Sequence, residues 1–94
     1  MTPPDRQLPI ALSNSRVVVL TRAGCHLCVD AVEIVSGVCH EAGVSVAFVD
    51  VDSDPALKAE FSDHVPVTFV DGQRHAIWHV DATALRAALA APFS

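Results

Sequence analysis

The apolar positions along the chain change their period several times, and each change marks an element. Arg16-Val17-Val18-Val19-Leu20-Thr21 is a continuous β-branched run, the pattern of a strand buried on both faces. Arg22-Ala23-Gly24 reads as a short loop. From Cys25 or His26 to Ala42 the period becomes helical. Leu27, Ala31, Ile34, Val35, Val38 and Ala42 line one side, and Asp30, Glu33, Gly37, His40 and Glu41 form a narrow polar stripe on the other. Gly43 stands where a left-handed glycine ends a helix. Val44 to Val51 reads as a second strand. In Asp52-Ser53-Asp54-Pro55, Asp54 suits an N-cap and Pro55 the first position of a helix over about 55–62. Val67-Thr68-Phe69-Val70 and Arg74 to Val80 read as a hairpin on the two-residue turn Asp71-Gly72. Asp81 caps a last helix over about 82–91, which Pro92 ends.

The order is β-α-β-α-β-β-α, an α/β fold. The first two strands and their crossover helix form a right-handed parallel unit, and the hairpin adds an antiparallel part. The expected architecture is a four-stranded mixed sheet with helices on both faces, because the strands are apolar throughout. One domain over 16–94 follows a flexible lead-in over 1–15.

Composition fits that reading. Of 94 residues, 51% are hydrophobic and 18% charged, so a chain near the small end of independent folding still has apolar surface to bury. Six Lys plus Arg stand against eleven Asp plus Glu, a net charge of -5. The cations are scattered, which argues against nucleic-acid binding, since phosphate neutralisation needs them clustered. No apolar run is long enough to cross a bilayer, and residues 1–15 lack the apolar core of a secretory signal. A cytoplasmic monomer is the expectation. Three cysteines do not make a disulfide-stapled scaffold.

The chemistry sits in Cys25-His26-Leu27-Cys28, directly after the first strand and opening the first helix. A thiolate there meets unpaired backbone N–H groups and the positive end of the helix dipole, which stabilise the anion. Cys25, the leading and more exposed sulfur, is the expected nucleophile. Cys28, three residues on and on the same helix face, is placed to resolve the mixed disulfide. Arg22 and His26 are candidates for tuning the thiolate, by charge and by hydrogen bonding; each also reads as an ordinary solvated residue.

A pair of cysteines also serves zinc, which needs four ligands. The third thiol, Cys39, is eleven residues beyond Cys28 on the same helix, roughly 16 Å along its axis. It cannot share a metal or a disulfide with the pair. Cys39 reads as a small buried hydrophobe. An intramolecular site would need two of His64, His75 and His79 to converge on the loop, and nothing in the sequence brings them there. No metal or organic cofactor is expected within one chain, although two chains could pool their thiols around an iron–sulfur cluster.

With this strand–CxxC–helix arrangement, residues 16–91 resemble the glutaredoxin-like branch of the thioredoxin superfamily. Thr21-Arg22-Ala23-Gly24-Cys25-His26-Leu27-Cys28 looks like the glutaredoxin active-site run. Val49-Asp50-Val51-Asp52 resembles the end of the family's second strand, Val65-Pro66 its cis-proline pair, and Phe69-Val70-Asp71-Gly72 its hairpin turn. The resemblance implies a thioredoxin-like fold, a cis peptide at Pro66 and substrate contact by Val65 and Pro66 beside the cysteines. Three departures stand out. Ala76-Ile77-Trp78-His79-Val80-Asp81 occupies the place of the family's Gly-Gly pair, which lets glutathione approach the backbone. His64 replaces a frequent Thr. The first strand offers no carboxylate beneath the thiols. Trp78 either packs on the sheet or flanks a substrate groove, and His75 and His79 are expected to be exposed.

The resulting expectation is a thiol–disulfide oxidoreductase acting on a protein disulfide or a low-molecular-weight mixed disulfide, and recharged by a reductase or a small thiol. Two other readings are a thiol module that holds a metal or iron–sulfur cluster and a thioredoxin-fold adaptor with little turnover.

Overall fold

The computed structural model describes residues 15–90. Its elements follow the expected order: β1 (Val17–Thr21), α1 (His26–Ala42), β2 (Val46–Asp50), a 3-10 turn (Val51–Ser53), α2 (Pro55–Phe61), β3 (Val67–Val70), β4 (Gln73–Ile77) and α3 (Ala82–Ala90). The lead-in, apart from Ser15, and the helix stop at Pro92 lie outside the described residues. Among those described, no helix is long and apolar enough to cross a membrane.

The strands order as β2-β1-β3-β4. β1 runs parallel to β2, with Val17 beside Val46 and Thr21 beside Asp50, and antiparallel to β3, with Leu20 beside Val67. The two central strands are the two most apolar runs, as burial on both faces requires. Alternation along β1 splits the core in two. Val17 and Val19 pack with Val35, Val38 and Cys39 of α1 and Leu85 and Leu89 of α3. Val18 and Leu20 face the other way, onto Leu57 and Phe61 of α2 and onto Phe69. Helices therefore cover both faces. Phe61 meets Phe69 edge-on, with ring centroids 5.8 Å apart at 88°.

Local chemistry sets the boundaries. Gly43, at φ 68°, closes α1, and the Val44 N–H reaches back to the Cys39 carbonyl. That bond takes Val44 out of the sheet, so β2 starts at Val46 rather than at Val44. β2 also ends one residue early. The Asp50 carboxylate accepts the Asp52 N–H at 2.8 Å and Ser53 donates to the Asp50 carbonyl, which curls Val51 into the 3-10 turn. Asp54 caps α2 through the Ala56 N–H, and Asp81 caps α3 through the Thr83 N–H. Asp71 and Gly72 both take positive φ, 53° and 84°, as a type I′ turn requires.

The largest correction falls on β4, expected to run to Val80. It stops at Ile77. Trp78 has φ 65° and the His79 N–H bonds back to the Ile77 carbonyl at 2.8 Å, a γ-turn that leaves the sheet. His79 is exposed beyond this turn, whereas His75, inside the strand, is half-buried.

Candidate functional site

β1 delivers the chain to the surface at Thr21, and Gly24, at φ 78°, turns it into α1. Cys25 becomes the N-cap residue, at φ -96° and ψ 110°. Its Sγ accepts the Cys28 N–H at 3.2 Å, taking the role usually filled by a Ser or Asp oxygen, and its carbonyl accepts the same N–H at 3.1 Å. All three cysteines are free.

The two sulfurs differ in their surroundings. Cys25 is half-buried; Cys28 is 4% exposed. Burial pushes the Cys28 thiol up to about 11, helped by its hydrogen bond to the Cys25 sulfur and by negative charge there, against a smaller lowering from the Arg22 backbone. Cys28 therefore keeps its proton at neutral pH. Cys39 is likewise raised by burial, within the core. It plays the packing role expected of it.

Cys25 opens onto a surface depression of about 600 Å³, whose walls include Arg22, His26, Val29, Val32 and Glu33. His26 is exposed at the first helical position. The Arg22 guanidinium is tied at 3.2 Å to Asp52, both side chains being a little over one-third exposed. Pro66 is buried and the Val65–Pro66 bond is cis. Val65 and Pro66 do not line this depression. They enter one step beyond the Leu20–Val67 pair, which places them beside the end of β1. Among the described residues, the Val65 N–H and C=O take no hydrogen bond.

Three features were not anticipated. Asp52 holds Arg22; the parallel register that pairs Thr21 with Asp50 brings it there. Val29, 59% exposed, and Val32 form the apolar wall beside Cys25. Their spacing of four and seven residues from Cys25 is the helical signal that could have found them. Trp78 neither packs flat on the sheet nor lines the Cys25 depression. The residue is 47% exposed; its ring stacks on His64 with centroids 6.3 Å apart at 13° and donates Nε1–H to the Asp63 carbonyl. Its backbone N–H donates to the Pro66 carbonyl at 2.8 Å.

Comparison with known proteins agrees with this geometry. The profile of the glutaredoxin-like domain family (DUF836) matches residues 16–90. An uncharacterised protein of Mycobacterium tuberculosis (strain ATCC 25618 / H37Rv) is 40% identical over 84 residues, covering 84% of this chain and 87% of that one. The X-ray structure of the protein XcR50 from X. campestris superposes with a TM-score of 0.66 at 37% identity, over 81% of this chain and 99% of that one. Fasciola hepatica thioredoxin superposes with a TM-score of 0.54 at 25% identity, over 79% and 76% of the two chains. With its cysteine pair at the mouth of α1 and a cis-proline beside the end of β1, this chain belongs to the glutaredoxin-like family of thioredoxin-fold proteins.

Proposed function

We propose that the chain is a dithiol–disulfide oxidoreductase. The observation that carries the reading is the division of labour between two sulfurs in one helical turn. One is at the surface, accepting a backbone N–H; the other is buried and holds its proton.

The Cys25 thiolate attacks one sulfur of a substrate disulfide. The substrate S–S bond breaks, its departing sulfur takes up a proton, and a mixed disulfide joins Cys25 to the other half. Cys28 then gives up its proton and attacks the Cys25 sulfur. The mixed disulfide breaks, the second substrate thiol leaves, and Cys25–Cys28 becomes a disulfide. Two electrons have passed from the dithiol to the substrate. A thiol reductant, either a dithiol protein or two equivalents of a small thiol, returns the pair to its starting state. The two sulfurs themselves store the electrons, and a reducing compartment such as the cytoplasm suits free thiols of this kind.

In this reading Arg22, held by Asp52, adds positive potential at the edge of the depression, and the His26 ring N–H is a hydrogen-bond donor there. The unpaired N–H and C=O of Val65 support an extended substrate backbone pairing there, with Pro66 fixing that backbone beside the sulfurs. The test is reduction of insulin or of a peptide mixed disulfide, followed for wild type, Cys25→Ser and Cys28→Ser. Cys25→Ser is expected to abolish turnover. Cys28→Ser is expected to accumulate a mixed disulfide on Cys25, visible by mass spectrometry. Turnover that survives Cys25→Ser would overturn the reading.

A further inference from the structure

Trp78 holds a backbone conformation that a bulky residue rarely adopts. A γ-turn at φ 65° is strained for a residue with a side chain and persists only where surrounding structure imposes it. Three contacts do so here: Trp78 N–H to the Pro66 carbonyl, indole Nε1–H to the Asp63 carbonyl, and the stack on His64. Together they fix a large side chain on a residue that remains 47% exposed. Packing alone does not explain strain spent on a residue left half in water.

Trp78, with His79 and Val80 after it, lines a second cleft, about 250 Å³, between α1 and the turn. Leu27, the residue between the two cysteines, forms one wall, and Asp30 and Glu33 supply carboxylates. Asp63, whose carbonyl holds the indole, is exposed nearby. Trp78 thus stands at an acidic rim, one hydrogen bond from the Pro66 carbonyl. An aromatic face with carboxylates around it attracts a cation and repels an anion.

We propose that Trp78, stacked on His64, is a specificity-determining residue that selects disulfides carrying a positively charged group, namely polypeptides with a Lys or Arg beside the reactive cysteine. This rests on the oxidoreductase reading. A substrate backbone paired at Val65 would run next to Pro66, whose carbonyl holds the Trp78 N–H, and Leu27, between the two cysteines, joins Cys25 to the cleft. A disulfide flanked by carboxylates, glutathione's included, meets Asp30 and Glu33 instead and is disfavoured.

The test compares kcat/KM for three mixed-disulfide peptides identical except for Lys, Gln or Glu beside the cysteine, together with a glutathione mixed disulfide. The assay runs at low salt and about pH 8, above the ordinary imidazole range. The Lys peptide is expected to exceed the Gln peptide about fivefold and the Glu peptide about tenfold or more, with the spread narrowing as salt rises. Trp78→Gly is the informative variant, because glycine adopts this backbone without strain and the chain keeps its turn. It should lose about fivefold of the Lys preference while the rate of Cys25 alkylation by a neutral reagent stays unchanged. Asp30→Asn, on the exposed face of α1, should lose part of the same preference. Equal kcat/KM for the Lys and Glu peptides, or unchanged selectivity in Trp78→Gly, overturns the inference and leaves the oxidoreductase reading intact. Failure to reduce any of the disulfides overturns both.

Discussion

The state of the Cys28 thiol has a thermodynamic consequence that needs no substrate. Burial and the Cys25 sulfur raise it from the ordinary 9.0 to about 11 in the folded protein. Between those values the native chain holds a proton that the unfolded chain has released. Stability therefore falls as pH rises through this window. It is fully present below about 9 and lost above about 11. A rise of this size corresponds to about 3 kcal/mol, a large part of the ~5–10 kcal/mol that holds a small domain together. The assay is urea unfolding of the reduced protein at several pH values, compared with Cys28→Ala. Lysines and the other ionising groups titrate in both chains and cancel in the difference. Cys39 is also raised by burial, so both proteins carry Cys39→Val. The reduced parent should lose stability relative to the Ala variant between about pH 9 and 11, and the oxidised parent, with no Cys28 proton to lose, should not. Parallel profiles for reduced parent and variant would refute the claim that the fold keeps Cys28 protonated.

Other substitutions test the frame around the sulfurs. Thr68 is fully buried and its Oγ1 has no hydrogen-bond partner among the described residues, so Thr68→Val should stabilise the protein by about 1 kcal/mol in urea melts. Phe69→Ala empties the centre of the α2-side core, including the edge-on contact with Phe61, and should cost about 3–5 kcal/mol, enough to leave much of the protein unfolded by circular dichroism. Gly24→Ala meets no atom within 4 Å, yet its φ of 78° should still cost about 1–2 kcal/mol and lower the thermal midpoint. Asp52→Asn releases the Arg22 guanidinium and should alter the salt dependence of Cys25 alkylation while leaving the fold intact; an unchanged salt dependence would show that Arg22 does not reach the sulfur's field.

Most of the fold could be read from the sequence because its decisive signals are local. A short β-branched run that ends in a loop and a glycine reads as a doubly buried strand, and β1 is one. Gly43, Asp54, Asp71-Gly72 and Asp81 each terminate or start an element by a bond within a few residues, and each does so where expected. The cysteine pair was legible for the same reason, since an N-cap and the residue three beyond it lie within one turn. What escaped depends on distant partners. The run Arg74 to Val80 has the composition of a strand to its end, and nothing in it announces that Trp78 will turn out of the sheet. The cause lies at Pro66, Asp63 and His64, twelve to fifteen residues earlier. The Arg22–Asp52 pair is similarly invisible until the parallel register of β1 and β2 is known.

The unequal behaviour of two identical side chains is itself a product of helix geometry. Residues advance about 100° and 1.5 Å per step, so Cys25 and Cys28 lie about 60° apart around the axis and less than one turn apart along it. That is close enough for the two sulfurs to interact, yet it puts one before the helix and the other inside it. The N-cap side chain folds over free backbone N–H groups at the rim, while the side chain at the third helical position points down toward the sheet and loses its water. Adding one residue between them would swing the second sulfur about 100° around the axis, from about 60° on one side of the first to about 40° on the other, and so take it off the buried face it now occupies. The spacing of two intervening residues thus produces nucleophile and reserve thiol together, and a chain that kept both cysteines but moved either by one position should retain its fold and lose its exchange chemistry.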